Sequence, residues 1–240
     1  MTFKGISCTV IERFGHGQSP LKIFLDTASI QELRQAISTG FVEGVTTNPS
    51  LLARQKSDKT VEGLLLEICK LQSGPVSLEV DEDREESMLA QARWFRQLAS
   101  NIVIKVPLTP EGLNVCRILR SEGTEVNVTL CFSCAQGFLA AKAGATFVSP
   151  FIGRLEDSGG CGIELLRDLR SMMDHYGFST QILAASIRNP RHVAEALQAG
   201  ADVATMPFSV LFQLYAHPLT QQGLMLFRQD SQTKAPFVSS

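Results

Sequence analysis

Long apolar runs are missing from this 240-residue chain. No stretch approaches the ~18 consecutive apolar residues that suggest a bilayer span, and the first twenty residues lack the apolar block of a signal peptide. No membrane partner is therefore expected, and a cytoplasmic location is. An excess of one charge sign is missing too. With 22 Lys+Arg against 24 Asp+Glu, there is no basic footprint for counterion release on nucleic acid, so no nucleic-acid partner is expected. Cysteine is scarce: six residues, at 8, 69, 116, 131, 134 and 161, are too dilute to staple a fold, and reduced thiols are expected. Aromatic side chains make up only 7%. Trp94 and most phenylalanines read as core, with Phe151 an exception because it ends a strand. Also absent are a Walker A sequence, an H-E-x-x-H motif and a G-x-S-x-G elbow. Gly159-Gly-Cys-Gly162 comes nearest to G-x-G-x-x-G but lacks the final glycine at the required spacing.

What is present is an alternation. Short runs rich in branched residues recur at roughly 20–30 residue intervals: 22–26, 43–47, 76–81, 102–106, 125–130, 146–151, 181–186 and 202–206. Helical patterns fall between them. Ser29-Ile-Gln-Glu32 reads as a capping box, while Asn48-Pro49, Thr109-Pro110 and Asn189-Pro190 each pair an N-cap with a first-turn proline. Further helices are expected over 84–99, 133–143, 161–177, 207–216 and about 218–229, with Gly144 and Gly200 as C-terminal caps. Eight such units, with strands too apolar to leave a face in water, predict a single α/β (β/α)8 TIM barrel over 22–230. Residues 1–21 read as an N-terminal extension and 231–240 as a tail, with one additional C-terminal helix before it. An open doubly wound sheet is the alternative architecture.

Barrel chemistry sits at the C-terminal strand ends, where this chain concentrates polar residues that packing does not require. Lys105, inside Ile102-Val-Ile-Lys-Val-Pro107, must be paired or lose its proton in so apolar a strand. A neutral amine there can attack a carbonyl and form a Schiff base that acts as an electron sink, although a stem lining the rim with its head in water explains the residue as well. Glu79 shares strand parity with Ser77 and Asp81, as Asn127 does with Thr129. These sets are either proton-transfer groups near the amine or a buried hydrogen-bond network that fixes packing. Asp26 ends the first strand and is free to be a general base or to stabilise its loop. Asn48 is on local grounds an N-cap. Ser186 and Arg188, beside a helix N-terminus after the seventh strand, form with Arg154 a candidate phosphate clamp, or else a pair of solvated arginines. Cys131-Phe-Ser-Cys134 could be redox active. It stands alone, however, and the histidines at 16, 175, 192 and 217 are scattered, so neither a metal nor a redox cofactor is expected.

Six ordered motifs then carry a resemblance: Phe24-Leu-Asp-Thr-Ala28, Gly44-Val-Thr-Thr-Asn-Pro-Ser50, Ile104-Lys-Val-Pro107, Asn127-Val-Thr-Leu130, Ser149-Pro-Phe-Ile-Gly-Arg154 and Ala184-Ala-Ser-Ile-Arg188. Over about 22–230 the chain resembles the transaldolase family, including the related fructose-6-phosphate aldolases. The resemblance implies Lys105 as the Schiff-base lysine, Asp26 as the group handling the substrate hydroxyl proton, and Glu79 and Thr129 as proton-transfer groups acting through a water. It implies that Asn48, Asn127 and Ser149 bind the dihydroxyacetone portion, and that Arg154, Ser186 and Arg188 bind the sugar phosphate, so the partners are phosphorylated sugars. Glu79 and Phe151 match the transaldolases, whereas the aldolases carry glutamine and tyrosine there. The implied reaction moves a dihydroxyacetone unit from sedoheptulose 7-phosphate to glyceraldehyde 3-phosphate, as in the pentose phosphate pathway, without cofactor or metal. The chain is also similar to the short subfamily, whose rings exchange C-terminal helices. That implies a homo-oligomer such as a decamer, with Leu219, Leu224, Leu226 and Phe227 as anchors, although a helix packed on its own barrel accounts for them too.

Overall fold

The structure, a computed structural model, describes residues 20–55 and 60–232. Most of the expected N-terminal extension, with Cys8 and His16, and residues 233–240 of the tail lie outside the described residues. Eight parallel strands close on themselves in chain order: β1 (Lys22–Asp26), β2 (Val42–Thr46), β3 (Val76–Glu79), β4 (Ile102–Pro107), β5 (Val126–Cys131), β6 (Phe147–Pro150), β7 (Gln181–Ala184) and β8 (Val203–Met206). β1 completes the ring against β8, with Phe24 opposite Thr205. Every expected strand is found, with ends moved by a few residues.

Six helices open on a side chain that satisfies one of their first N–H groups. Ser29 opens α1 (Ile30–Ile37), Asn48 opens α2 (Pro49–Ala53), Thr60 opens α3 (Val61–Leu71), Thr109 opens α5 (Pro110–Ser121), Ser133 opens α6 (Cys134–Lys142) and Asn189 opens α9 (Pro190–Gln198). Each accepts from the N–H three residues on. At Ser29 the expected box is altered. Glu32 takes the Thr27 hydroxyl at 2.5 Å, and Thr27 Oγ1 in turn accepts the Ser29 N–H at 3.0 Å. α4 (Glu85–Leu98), α8 (Gly162–Tyr176), α10 (Phe208–Gln213) and α11 (Pro218–Gln232) lie where expected. Two helices were not anticipated: α3 as a unit separate from α2, and α7 (Ile152–Asp157), which Phe151 starts without any side-chain cap. Gly144 and Gly200, just past α6 and α9, have φ of +82° and +76°, the left-handed conformation that closes a helix and that a Cβ disfavours.

Strand pleat sorts the side chains into two cores. Leu25, Val45, Leu78, Ile104, Val128 and Ile182 face outward into the helix layer and are buried with Leu65, Leu119 and Leu166. Phe24, Val103, Phe147, Leu183 and Val203 form a separate cluster that plugs the barrel interior. The Phe24 and Phe147 rings meet edge-to-face at 6.2 Å. Gly44 makes room for this plug, because a Cβ there would come within 2.6 Å of the Phe24 ring. The aromatic expectation is corrected in part. Phe24, Phe95 and Phe147 are buried, but Phe41, just before β2, and Trp94, Phe138, Phe212 and Phe227, on helix faces turned away from the barrel, are exposed.

Phe24→Ala is expected to destabilise the protein by about 3–5 kcal/mol, read as a lower urea midpoint at unchanged slope. An unchanged midpoint would show that the plug does not hold the barrel.

Candidate active site

Above the plug, the next inward positions are polar. β4 brings Lys105 inward one step past Val103, β1 brings Asp26 past Phe24, β6 brings Ser149 past Phe147, and β8 brings Thr205 past Val203. Asp26, Lys105, Ser149 and Thr205 line one cavity of about 140 Å³ with Thr46 and Asn48, and Phe151, Arg154 and Ser186 form its outer part. The polar sets read from strand parity, Ser77 with Glu79 and Asn127 with Thr129, do share this interior. Asp81 does not. It lies past the end of β3, exposed, and bonded to Gln91 of α4.

Lys105 is 4% exposed. Its Nζ donates to Glu79 Oε2 at 2.8 Å and to the Thr47 carbonyl at 3.3 Å. Of the two outcomes open to a lysine in this strand, pairing is the one observed. The β3–β4 register makes the pair, because Glu79 lies directly opposite Lys105. Across the cavity Asp26 accepts from Thr46 Oγ1 at 2.8 Å, and Thr46 Oγ1 is 2.7 Å from Thr205 Oγ1. Thr46 has one proton and gives it to Asp26, so Thr205 is the donor in the second bond. Burial pushes the Asp26 carboxyl above its ordinary value of 3.8, against the Thr46 bond and the Lys105 charge, and the neighbouring Glu79 charge raises it further. Thr205 was not singled out from the sequence. Its signal was an isolated threonine at an apolar strand end.

Asn127 is fully buried behind Ser149. Its Oδ1 accepts the Ser149 hydroxyl at 2.7 Å and its Nδ2 donates to Ser77 Oγ at 3.4 Å. Thr129, also fully buried, presents a hydroxyl with no protein partner. It precedes Leu130, whose φ is +62°, at a bulge where the β5–β6 register shifts. Bulges of this kind re-aim side chains beside sites. Asn48 is both cap and wall: Oδ1 accepts the Leu51 N–H at 2.9 Å, and the residue lines the cavity.

At the outer end, the Arg154 guanidinium lies 4.9 Å from the centroid of the Phe151 ring. Ser186 has φ of +58°, a left-handed conformation costly for a residue with a Cβ and often found at sites that bind ligands. Arg188 is not among the cavity walls; its guanidinium is held by Asp157 of α7. Gly153 lets α7 approach this loop, since a Cβ there would lie 2.3 Å from the Ser186 carbonyl.

The cysteines do not build a site. The five described ones are free thiols. Burial pushes Cys131 up to about 12 and raises Cys134 as well, the reverse of what a thiolate nucleophile needs.

The family model described as transaldolase/fructose-6-phosphate aldolase matches residues 23–238. A probable transaldolase of Lactiplantibacillus plantarum is 52% identical over 210 residues, covering 88% of this chain and 96% of that protein. One of Rhodospirillum centenum is 54% identical over 213 residues, covering 88% and 91%. Among solved structures, the carboxyl transferase domain of Rhizobium etli pyruvate carboxylase is similar in fold alone, with TM-score 0.60 at 11% identity, covering 78% of this chain and 40% of that one.

Asp26 provides a linkage test. Its raised value means that the folded state holds the proton more tightly than the unfolded chain above pH 3.8, so this group's contribution to stability falls as pH rises through that window. Asp26→Asn is expected to be more stable than wild type to urea at pH 7, with the gain shrinking as pH falls toward 3.8. Equal stability at pH 7 would contradict the burial argument.

Proposed function

The chain belongs to the transaldolase/fructose-6-phosphate aldolase family, and from that premise we propose that it transfers a dihydroxyacetone unit between phosphorylated sugars through a Schiff base on Lys105. The observation that carries the reading is a buried lysine bonded to Glu79 at 2.8 Å and sharing one cavity with Asp26. Glu79 is placed to take a proton from Nζ, which frees the amine to attack the C2 ketone of the donor sugar. The resulting carbinolamine loses water as protons return to oxygen, a task for Glu79 and the unpaired hydroxyl of Thr129. Asp26 then removes the proton of the C4 hydroxyl, the C3–C4 bond breaks, and its electron pair flows into the iminium. The aldehyde leaves, the enamine adds to the acceptor aldehyde, and hydrolysis releases the ketose and the lysine.

Asn48 and Ser149, the latter locked by Asn127, suit the hydroxyls of the three-carbon unit, while Arg154, Ser186 and Arg188 suit the phosphate. Arg188 must leave Asp157 to reach it. The lysine supplies the electron sink, so the proposal includes neither cofactor nor metal. Sedoheptulose 7-phosphate as donor and glyceraldehyde 3-phosphate as acceptor, giving erythrose 4-phosphate and fructose 6-phosphate, place the enzyme in the pentose phosphate pathway. The five described cysteines, all free thiols, fit a reducing, cytoplasmic setting, and among the described residues no helix is long and apolar enough to cross a membrane.

We extend the proposal to assembly. α11 leaves Leu219, Leu224, Leu226 and Phe227 50–69% exposed, so its own barrel does not cover them. A neighbouring subunit does so in a ring, for which a decamer is the expectation.

Purified protein given fructose 6-phosphate should release glyceraldehyde 3-phosphate only when erythrose 4-phosphate is added, and borohydride should trap substrate on wild type but not on Lys105→Ala. Release without the acceptor would make it an aldolase, and silence in both would leave a phosphosugar-binding barrel. Sedimentation at micromolar concentration is expected to show a large oligomer that Phe227→Glu disrupts; a compact monomer would remove the ring.

A further inference from the structure

One buried titratable side chain has no part in the steps above. His192 is 5% exposed in the first turn of α9. Its Nε2 lies 3.0 Å from Glu156 Oε2 on α7, and its Nδ1 lies 3.4 Å from the backbone nitrogen of Arg188. A backbone N–H can only donate, so Nδ1 offers its lone pair and the ring proton sits on Nε2, aimed at Glu156. One neutral tautomer satisfies both contacts.

The ring thus joins two segments that carry the outer end of the cavity: α7, which holds Arg154, and the loop of Ser186 and Arg188. Glu156, His192 and Glu195 also bring their ligand atoms within 4.8 Å of one another, close enough to hold a cation. The hydrogen bonds argue against that use. A metal on Nε2 would force the proton onto Nδ1, against the Arg188 N–H, and Glu195 is already bonded by Arg191 at 2.7 Å.

We propose that His192 is a positioning residue for the anionic end of the substrate: by bridging Glu156 and the Arg188 amide it holds Arg154 and Ser186 in one arrangement before a phosphate arrives. The proposal rests on the reading that these residues take the phosphate. Preorganisation of this kind tightens binding without touching the reacting atoms.

The test compares full-length wild type with His192→Phe, which keeps ring volume without donor or acceptor, and His192→Asn, which keeps an acceptor near the Nδ1 position. If the Phe variant does not fold, His192→Gln, a donor toward Glu156 without that acceptor, replaces it. Calorimetry with inorganic phosphate and steady-state kinetics with fructose 6-phosphate plus erythrose 4-phosphate are the readouts. For the Phe variant the phosphate Kd and the KM are expected to rise together by about fivefold, the scale of one lost hydrogen bond, with kcat held and partial recovery in Asn. Unchanged phosphate affinity, or a fall in kcat at constant KM, would overturn the role. Wild type that turns over but binds no phosphate would refute the phosphate reading beneath it, leaving the Schiff-base reading intact. Stoichiometric zinc binding lost in the Phe variant would overturn the tautomer argument.

Discussion

The contact on which the rest of this structure depends is the 2.8 Å pair between Lys105 and Glu79 inside the barrel. An ammonium taken out of water is costly unless a carboxylate and further acceptors receive it. The pair therefore holds β3 and β4 in the one register that sets Glu79 opposite Lys105. The Thr47 carbonyl accepts a second hydrogen bond from the same group. A slip of one residue would turn either side chain into the helix layer and leave the other charge alone.

From that constraint follows a division of the interior by depth. Below the pair, Phe24, Val103, Phe147, Leu183 and Val203 exclude water. Level with it, each polar group is held by another: Thr205 by Thr46, Thr46 by Asp26, Ser149 by Asn127. Preorganised groups of this sort need not reorganise as charge develops. Farther out, Ser186 adopts a left-handed backbone and Asp157 holds Arg188 outside the cavity. The deep end suits bond making and breaking, and the rim suits recognition.

Much of this was legible because period-two pleat is strict. Once Lys105 was seen in an apolar strand, Ser77, Glu79, Asn127 and Thr129 fell on one face by counting, and the caps at Asn48, Thr109 and Asn189 placed helix starts directly. α7 was not legible. It has six residues, begins at Phe151 with no side-chain cap, and is held by the loop it touches across Gly153. Trp94 is misjudged by its size and hydrophobicity alone: the buried stripe of α4 is Met88, Ala92 and Phe95, and Trp94 falls off it. Thr205 was passed over because a threonine in a strand is ordinary until another hydroxyl is found 2.7 Å away.

The sequence by itself determined the eight-unit alternation, most helix starts, the shared parity of Ser77 with Glu79 and of Asn127 with Thr129, and the strand-end location of the reactive residues, since all of these are local or periodic. Tertiary structure alone decided pairings between residues far apart in the chain. Examples are Lys105 with Glu79, Asp26 with Thr46, Arg188 with Asp157, and His192 between Glu156 and the Arg188 amide. Such contacts depend on register, bulges and how closely a helix can approach a loop, none of which a single segment encodes.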